Sequence, residues 1–228
     1  MLYVSEIFRS FQGEGVRTGL VTVFVRLAGC NLDCIWCDTR YARNREGAEE
    51  MGPESVLDEV EKLGSQNVCI TGGEPMIQEE ILDLIGILDR KGYRVDLETN
   101  GSVNLREVID RYPKVFISMD VKNPSSGEEK SLDPENLDLL RSSDQVKFIV
   151  KDGRDLNFTL KFLKKKRPLS NVIITPCDNK GGEEIAGILD VELFKFQNSG
   201  DRDLKRTANR SRLMIQTHKI IWGDKRGV

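Results

Sequence analysis

The stretch Gly29-Cys30-Asn31-Leu32-Asp33-Cys34-Ile35-Trp36-Cys37-Asp38-Thr39 holds three of the five cysteines of this 228-residue chain. It follows a β-branched apolar run at residues 21–27, so it is predicted to be a loop at the end of a strand. In such a short loop the thiolates of Cys30, Cys34 and Cys37 face one point, which suits an iron–sulfur cluster. A [4Fe–4S] cluster has four irons, so three cysteines leave one iron open to a small molecule.

Two other uses of these cysteines stay open, namely a structural zinc loop and a set of buried thiols. Zinc requires a fourth Cys or His, whereas Cys69 and Cys177 stand apart in apolar surroundings and the sole histidine, His218, is far along the chain. The odd cysteine count and the lack of a signal-peptide pattern disfavour disulfides and indicate a reducing compartment. We therefore expect a cytoplasmic protein.

The charge composition is nearly balanced. Lys and Arg number 34 and Asp and Glu 37, a formal net charge of −3, so the composition does not indicate a direct nucleic-acid partner. No apolar run approaches the roughly 18 to 20 residues of a membrane span, and we expect no membrane partner.

Strand-like runs alternate with helical patterns along the chain. Strands are predicted at residues 2–11, 20–27, 68–71, 94–98, 115–121, 145–150 and 172–175, and helices at 53–63, 77–91, 104–111, 134–141 and 156–166. This order predicts an α/β fold with parallel strands and right-handed crossovers, which can curl into a partial (β/α) barrel. We expect one compact domain over residues 1–228, with a cluster loop at 28–40.

Outside the regular series the pattern is weaker. Residues 41–52 are predicted to be a surface excursion. Residues 177–228 are expected to be less regular, with a helix at 185–196, a polar segment at 201–210 and a last strand at 212–221.

Polar and glycine-rich turns follow successive predicted strands. They are Thr71-Gly72-Gly73-Glu74-Pro75, Glu98-Thr99-Asn100-Gly101 and the segment from Ser118 to Lys122, which contains Asp120. Each turn alone is ordinary for a strand-to-helix connection. Because the carboxyl ends of parallel strands meet at one edge of a sheet, we expect all of them at one site, together with the cysteine loop.

The Cys-x3-Cys-x2-Cys spacing with Trp36 before the last cysteine resembles the cluster motif of the radical S-adenosylmethionine (SAM) superfamily, and Gly-Gly-Glu-Pro resembles its glycine motif. The resemblance implies that SAM chelates the open iron and is cleaved to a 5′-deoxyadenosyl radical. It implies that the radical, rather than a side chain, performs the catalytic step. The residues implied in SAM binding are Trp36, Asp38, Gly73, Glu74, Glu98, Ser118 and Lys122.

Further motifs resemble the 7-carboxy-7-deazaguanine synthase family. They are Phe11-Gln12-Gly13-Glu14-Gly15, Phe24-Val25-Arg26-Leu27-Ala28-Gly29-Cys30-Asn31-Leu32, Trp36-Cys37-Asp38-Thr39 and Gln216-Thr217-His218-Lys219. The resemblance implies conversion of 6-carboxy-5,6,7,8-tetrahydropterin to 7-carboxy-7-deazaguanine with loss of ammonia, in queuosine or archaeosine biosynthesis. Hydrogen abstraction from C6, ring contraction and return of the hydrogen to SAM are the implied steps.

The family resemblance also implies site residues and partners. The pterin would contact Phe11, Gln12, Gly13, Glu14, Arg26 and Thr71, and Thr39 would help to hold Mg²⁺. Arg26 is a charge inside an apolar run, which is costly unless it points into a polar pocket, and its planar fork suits a carboxylate. An electron donor such as flavodoxin or ferredoxin and a homodimeric state are implied as well.

Two rival functions stay open. A glycyl-radical enzyme activase would share the cysteine loop and the paired glycines without requiring Gln12, Glu14 or Arg26. The second rival is not an enzyme but an iron–sulfur electron carrier or a zinc-dependent binding module. His218 is a candidate acid or base, but a lone histidine in a terminal strand is more often a packed or hydrogen-bonded structural residue. For Gln12 and Glu14 the alternative is ordinary turn chemistry.

Overall fold

A computed structural model of the chain describes residues 1–223 and 225–228. In this described part nine strands form one sheet with the order β3-β1-β2-β4-β5-β6-β7-β8-β9. The strands are β1 (Leu2–Phe11), β2 (Val21–Leu27), β3 (Glu49–Met51), β4 (Asn67–Gly72), β5 (Arg94–Thr99), β6 (Phe116–Asp120), β7 (Gln145–Val150), β8 (Asn171–Pro176) and β9 (Ser211–Leu213).

Helices connect the strands and cover the sheet. They are α1 (Pro53–Leu63), α2 (Ile81–Arg90), α3 (Arg106–Arg111), α4 (Asn136–Leu139), α5 (Gly153–Lys166), α6 (Gly182–Gln197), α7 (Arg202–Asn209) and α8 (Thr217–Trp222). The clearest helical patterns bury the faces that their spacing predicts: Val56 and Val60 of α1 and Leu84, Ile85 and Leu88 of α2 join the apolar core. This burial of amphipathic faces holds the helices on the sheet.

The sheet is parallel from β2 to β9, while β1 runs antiparallel to both β2 and β3. The predicted α/β fold is thereby confirmed, with β1 as the exception to parallel pairing. The connection from β1 to β2 is a short loop, and a short loop returns the chain beside itself in the opposite direction.

Pairing register brings site residues next to one another. Arg26 on β2 lies opposite Thr71 on β4, and Glu98 on β5 lies opposite Ser118 on β6. Strand side chains alternate between faces, so one face of the sheet carries a row of polar groups that continues into the turns at the carboxyl ends. The sheet is open, with β3 and β9 at its edges.

The predicted last strand at residues 212–221 is wrong over most of its length. The strand ends at Leu213, and Thr217 to Trp222 form the helix α8. Alternation and helical spacing are hard to distinguish in a short apolar segment. The helix leaves Ile220 and Ile221 exposed and turns the other side of the segment towards the site.

Two further elements were not predicted. The excursion at 41–52 ends in the strand Glu49–Met51, which pairs with the start of β1; three residues carry too little periodicity to be recognised. The polar segment at 201–210 contains α7, which Asp201 caps and which buries Leu204, Thr207 and Ala208. The helix predicted at 185–196 is confirmed as α6.

No helix among the described residues is both long and apolar enough to cross a membrane. The assignment of residues 1–228 to a single domain stays a prediction.

Candidate active site

A cavity opens at the carboxyl ends of the parallel strands. Most of the predicted site residues line it, namely Phe11, Gln12, Gly13, Glu14, Arg26, Cys30, Cys34, Trp36, Cys37, Asp38, Thr39, Thr71, Gly73, Glu98 and Lys122. Glu74 and Ser118 are buried behind its wall. The structure thus brings together residues that the sequence places up to 111 positions apart, from Phe11 to Lys122. Their individual roles stay predictions.

The cysteine loop is fixed by backbone hydrogen bonds at both ends. At its start the N–H of Gly29 donates to the carbonyl of Ala42 at 2.8 Å, and further along the N–H of Ile35 donates to the carbonyl of Ser126 at 3.0 Å. The loop therefore keeps its conformation through neighbouring segments of chain.

The thiols of Cys30, Cys34 and Cys37 lie on one side of the cavity. Burial raises the pKa of Cys30, and it raises the pKa of Cys34 to about 11. Thiols in this setting become thiolates when a positively charged metal group binds them.

A cubic iron–sulfur cluster fits this arrangement. Among the described residues no three or more His, Cys, Asp or Glu side chains are grouped closely enough to hold a single metal ion, whereas a closed zinc site needs four such ligands. A [4Fe–4S] cluster takes each cysteine on a different iron, so its ligands need not converge on one ion. Cys30, Cys34 and Cys37 would hold such a cluster.

The paired glycines are required by close backbone contacts. A Cβ on Gly72 would lie 2.0 Å from the Leu27 carbonyl oxygen, and one on Gly73 would lie 2.0 Å from the Gly29 carbonyl oxygen. Gly72 also has φ +135, which L side chains rarely adopt. The glycines therefore let the end of β4 touch the backbone of the cysteine loop, and both still line the cavity.

Glu74 is fully buried and serves as a connector. Its carboxylate accepts hydrogen bonds from Met76 N at 3.0 Å, Thr99 Oγ1 at 2.8 Å and Asn100 N at 2.7 Å. These bonds tie the turn after β4 to the turn after β5. Ser118 is likewise engaged, since its hydroxyl accepts from Gln145 Nε2 at 2.8 Å.

Charged residues surround the part of the cavity beside the cysteines. Lys122 Nζ donates to Asp120 Oδ2 at 2.8 Å. Burial alone would lower the pKa of Lys122, but Asp120 more than offsets this effect and raises it, so the ammonium group is charged. On either side of Cys37 in the chain, Asp38 Oδ2 lies 3.4 Å from Lys219 Nζ, and Trp36 Nε1 donates to Ser125 Oγ at 2.8 Å.

Gln12 and Thr71 converge on Glu98. Gln12 Nε2 donates to Glu98 Oε1 at 3.3 Å, and Thr71 Oγ1 donates to Glu98 Oε2 at 3.1 Å. The predicted loop and strand residues therefore share one carboxylate, which they orient within the cavity.

Glu14 is held by two residues from distant parts of the chain. Lys147 Nζ donates to Oε2 at 2.9 Å, and Gln216 Nε2 donates to Oε1 at 2.7 Å. Burial would raise the pKa of Glu14, but the charge of Lys147, with help from His218 and Gln216, lowers it to about 2. Glu14 is therefore a fixed, ionised acceptor.

The segment from Gln216 to Lys219 closes over the loop at residues 12–14. The carbonyl of Gly13 accepts from both Thr217 N and Thr217 Oγ1 at 3.1 Å. A Cβ on Gly13 would lie 2.3 Å from Nδ1 of His218, so only glycine permits this contact. The rings of Phe11 and Trp222 stack with centroids 6.2 Å apart.

Arg26 points into the cavity, as expected for a charge inside an apolar strand. Its Nε donates to Glu6 Oε1 at 2.7 Å, and the Tyr41 hydroxyl donates to the same oxygen at 2.8 Å. Burial would lower the pKa of Arg26, but Tyr41 and Glu6 raise it. Glu6 thus holds one edge of the guanidinium.

Thr39 lies near the last cysteine, with Oγ1 3.7 Å from Cys37 Sγ. Magnesium usually takes few oxygens from the protein and the rest from substrate and water, so one hydroxyl beside the cavity is compatible with its predicted role.

Several cavity residues were not assigned from the sequence. Lys147, Glu6, Tyr41, Gln216, Cys177 and Lys219 all line the cavity. Lys147 gave one usable signal, because it interrupts the apolar strand Gln145–Val150 as Arg26 interrupts β2. Its three acidic neighbours come from other segments, so the sequence did not reveal its partners.

Residues 24–165 match the family model of the radical SAM superfamily. The match contains the cysteine loop, the paired glycines and the segment through Lys122. It defines the class of enzyme, and membership of this class implies a [4Fe–4S] cluster and SAM.

Relatives that match the full length of the chain identify the family within this superfamily. The chain is 35% identical over 234 residues to a 7-carboxy-7-deazaguanine synthase of Thermoplasma acidophilum, with 100% of both chains covered. A synthase of the same name from Leptospira interrogans is 35% identical, with 99% of this chain and 97% of the relative covered. The chain therefore belongs to the 7-carboxy-7-deazaguanine synthase family of radical SAM enzymes.

Solved structures support the fold. QueE from Escherichia coli matches with a TM-score of 0.72 and 22% identity, covering 94% of this chain and 93% of that one. Archaeal TYW1 matches with a TM-score of 0.51 and 16% identity, covering 84% of this chain and 80% of that one.

Proposed function

We propose that the chain converts 6-carboxy-5,6,7,8-tetrahydropterin to 7-carboxy-7-deazaguanine with loss of ammonia, for queuosine or archaeosine biosynthesis. The observation that carries the proposal is the meeting of three distant segments in one cavity. The loop at residues 12–14, Arg26 and the segment 216–219 line the same space as the three cysteines. A cluster site that served only electron transfer would not need this polar chamber.

The chemistry of the pterin matches the cavity. Its amino-pyrimidine ring carries N–H donors, and Glu14 and Glu98 offer carboxylate oxygens fixed by their neighbours. The substrate carboxylate requires a cation, and Arg26 has one edge of its guanidinium on Glu6. The other edge makes no hydrogen bond to a described residue and can form a planar pair with a carboxylate. These residues bind and orient the ring.

The cofactors occupy the opposite side of the cavity in this proposal. Cys30, Cys34 and Cys37 hold the cluster, which when bound supplies the electron that cleaves SAM. Trp36, Asp38, Gly73 and Lys122 line the space for SAM, and Glu98 lines the cavity where the spaces for SAM and the pterin meet. Glu74 lies behind the wall of the space for SAM and fixes the turn that follows β5. Ser118, on β6, supports the same wall.

A magnesium ion at Thr39 belongs to the same proposal. It would join the Thr39 hydroxyl to the substrate, with water completing the coordination. Chelation should abolish product formation and added Mg²⁺ should restore it. Full activity of a Thr39→Ala variant in the presence of chelator would remove Mg²⁺ from the proposal.

A flavodoxin or ferredoxin as electron donor and a homodimeric state complete the proposal. Both rest on the family resemblance. Light scattering of the purified protein tests the second directly.

An anaerobic turnover assay tests the proposed reaction. The protein is mixed with the carboxytetrahydropterin, SAM, Mg²⁺ and a reductant, and the deazapurine product is followed by absorbance and mass. Cys34→Ala should abolish both SAM cleavage and product formation, because the cluster loses a ligand. Cys69→Ala is the matched control for SAM cleavage, since Cys69 is a buried thiol of β4 outside the cysteine loop.

The two rival functions predict other outcomes. SAM cleavage without deazapurine would indicate a different radical SAM reaction, such as activation of a glycyl-radical enzyme. No SAM cleavage by fully reduced protein would contradict the proposal altogether.

A further inference from the structure

Lys147 lies at the centre of three carboxylates from three different segments. Its Nζ is 2.9 Å from Glu14 Oε2, 3.3 Å from Asp120 Oδ1 and 4.0 Å from Glu98 Oε1. Its side chain is only 6% exposed. An ammonium group so far removed from water requires charged partners, and these three carboxylates supply them.

The carboxylates outnumber the ammonium groups around them. Lys147 and Lys122 face Glu14, Glu98 and Asp120, and Lys122 is engaged by Asp120. The group therefore keeps an excess of negative charge in a space sheltered from water. Such a group attracts N–H donors and repels a second anion.

Acceptor capacity is left over on the cavity side. Each oxygen of Glu14 receives one hydrogen bond from the described residues, and a carboxylate oxygen accepts two. Asp120 Oδ1 is fully buried and lies 3.3 Å from Lys147 Nζ, so this oxygen faces Lys147 and not the cavity. The free lone pairs of Glu14 are available to a ligand with several N–H groups.

We propose that Lys147 is the positioning residue for pterin recognition: anchored by Asp120, it holds Glu14 and Glu98 in place and ionised, so that the free lone pairs of these two carboxylates accept the N–H groups of the amino-pyrimidine ring. This inference rests on the proposed function.

The charge of Lys147 is the reason for its role. Without this positive charge, the carboxylates repel one another in a space shielded from water. One of them then binds a proton near neutral pH. A protonated carboxyl presents a hydrogen where the pterin also presents one. The other titratable or charged groups around these carboxylates are Lys122 after β6, Arg26 on β2, Cys69 on β4, Asp96 on β5 and His218 on α8.

The test measures proton exchange on binding of pterin-6-carboxylate, an oxidised analogue that is not turned over. Calorimetric titrations of the cluster-loaded protein in two buffers with different ionisation enthalpies give the dissociation constant and the number of protons exchanged. Wild-type protein should bind with no net proton exchange between pH 6 and 8. A role in packing alone would not produce a proton signal.

Lys147→Gln removes the charge and keeps hydrogen-bond donors. We expect it to weaken binding at pH 7 by about tenfold or more, to release up to about one proton on binding, and to bind better as the pH rises. Lys147→Arg keeps the charge and should bind without proton exchange. Lys161→Met, an exposed lysine on α5, is the control for loss of a positive charge.

The outcomes distinguish a failure of the proposed function from a failure of the role of Lys147. Failure of the wild-type protein to bind the analogue would count against the proposed function. Wild-type affinity without proton exchange in Lys147→Gln would overturn the role of Lys147 alone.

If Lys147→Gln does not fold, the double variant Asp120→Asn/Lys147→Gln replaces it, because it removes one charge of each sign. We expect this variant also to lose about tenfold or more in pterin affinity, and unchanged affinity would overturn the inference.

Discussion

Gly13 is the residue at which two distant parts of the chain meet in the cavity. Its carbonyl accepts two hydrogen bonds from Thr217, and the space that its side chain would occupy contains the His218 ring. His218 is therefore packed on the recognition loop, and its place in the site depends on the absence of one Cβ.

Gly13→Ala should displace the segment 216–219 and spare the rest of the fold. Overpacking costs about 1 to 3 kcal/mol, which corresponds to roughly a 5- to 160-fold loss of pterin affinity. Calorimetry with pterin-6-carboxylate gives the affinity, and limited proteolysis reports release of the segment.

Gly187→Ala is the matched control for this substitution. Gly187 lies on the exposed face of α6, and no atom lies within 4 Å of the place that a Cβ would occupy there, so alanine should be neutral or slightly stabilising. If Gly13→Ala bound the analogue as tightly as Gly187→Ala, the contact with His218 would have no part in recognition.

Arg26→Ala should spare the cluster and weaken substrate binding. Loss of a charge-assisted hydrogen bond to the substrate carboxylate costs about 1 to 3 kcal/mol. The iron content and the absorbance of the cluster should match the wild type, whereas calorimetry should show weaker binding of the carboxylated pterin. Pterin without the carboxylate is the control ligand, and its affinity should change much less.

An unchanged affinity of Arg26→Ala for both pterins would take Arg26 out of the binding site.

The difference between Arg26 and Lys147 shows how far the sequence predicts single residues. Both are cations inside apolar strands, and in both cases the energetic cost of the buried charge signals a polar pocket. Arg26 also stands in a recognisable motif, whereas Lys147 has its partner Glu14 133 positions away. Only the folded chain reveals that contact.

At the scale of elements, α7 is a short helix whose sequence carries a clear start signal but few apolar residues. Its N-terminus is capped by Asp201, whose Oδ1 accepts from Asp203 N at 2.9 Å and Leu204 N at 3.2 Å. The segment is rich in charge, and its apolar stripe is short. Capping by Asp was the available signal for a helix start.

Asp201→Ala should lower the free energy of unfolding by about 1 kcal/mol through loss of this cap. Asp201 also pairs with Arg167, with Nη2 2.8 Å from Oδ2. Asp201→Asn separates the two effects, because asparagine caps helices but carries no charge. The free energy of unfolding of Asp201→Asn, measured with urea, should be close to that of the wild type. If Asp201→Ala and Asp201→Asn lost the same free energy, the effect would come from the ion pair with Arg167.

The regular βα series was predictable because each element has its own period and its own stop signals. The last segment, residues 212–221, was not, because its helix α8 is stabilised by contacts with the start of the chain. Thr217 of α8 bonds to Gly13 and Trp222 stacks on Phe11, and such long-range contacts override weak local preference.

At the scale of the whole molecule, the ionised cluster around Lys147 ties stability to pH. The pKa of Glu14 is lowered from 4.5 to about 2, so its contribution is complete above pH 4.5 and is lost as the pH falls towards 2. In that interval the unfolded chain binds more protons than the folded one, and stability must decrease with falling pH.

Glu14→Gln should make the free energy of unfolding less dependent on pH, by up to about 3 kcal/mol between pH 4.5 and pH 2. Urea unfolding midpoints measured from pH 6 to pH 3 give the comparison, with the exposed Glu46→Gln as control. Parallel pH profiles for the wild type and Glu14→Gln would show that Glu14 has the same pKa in the folded and unfolded states.

The central claim is that three cysteines hold a cluster with one iron left for SAM. Iron, zinc and sulfide analysis of anaerobically purified protein, with electron paramagnetic resonance of the reduced state before and after SAM is added, tests it most directly. We predict about four irons per chain and a signal that SAM changes in the wild type and in Cys69→Ala. Zinc in place of iron, or a cluster signal unchanged by SAM, would contradict the account.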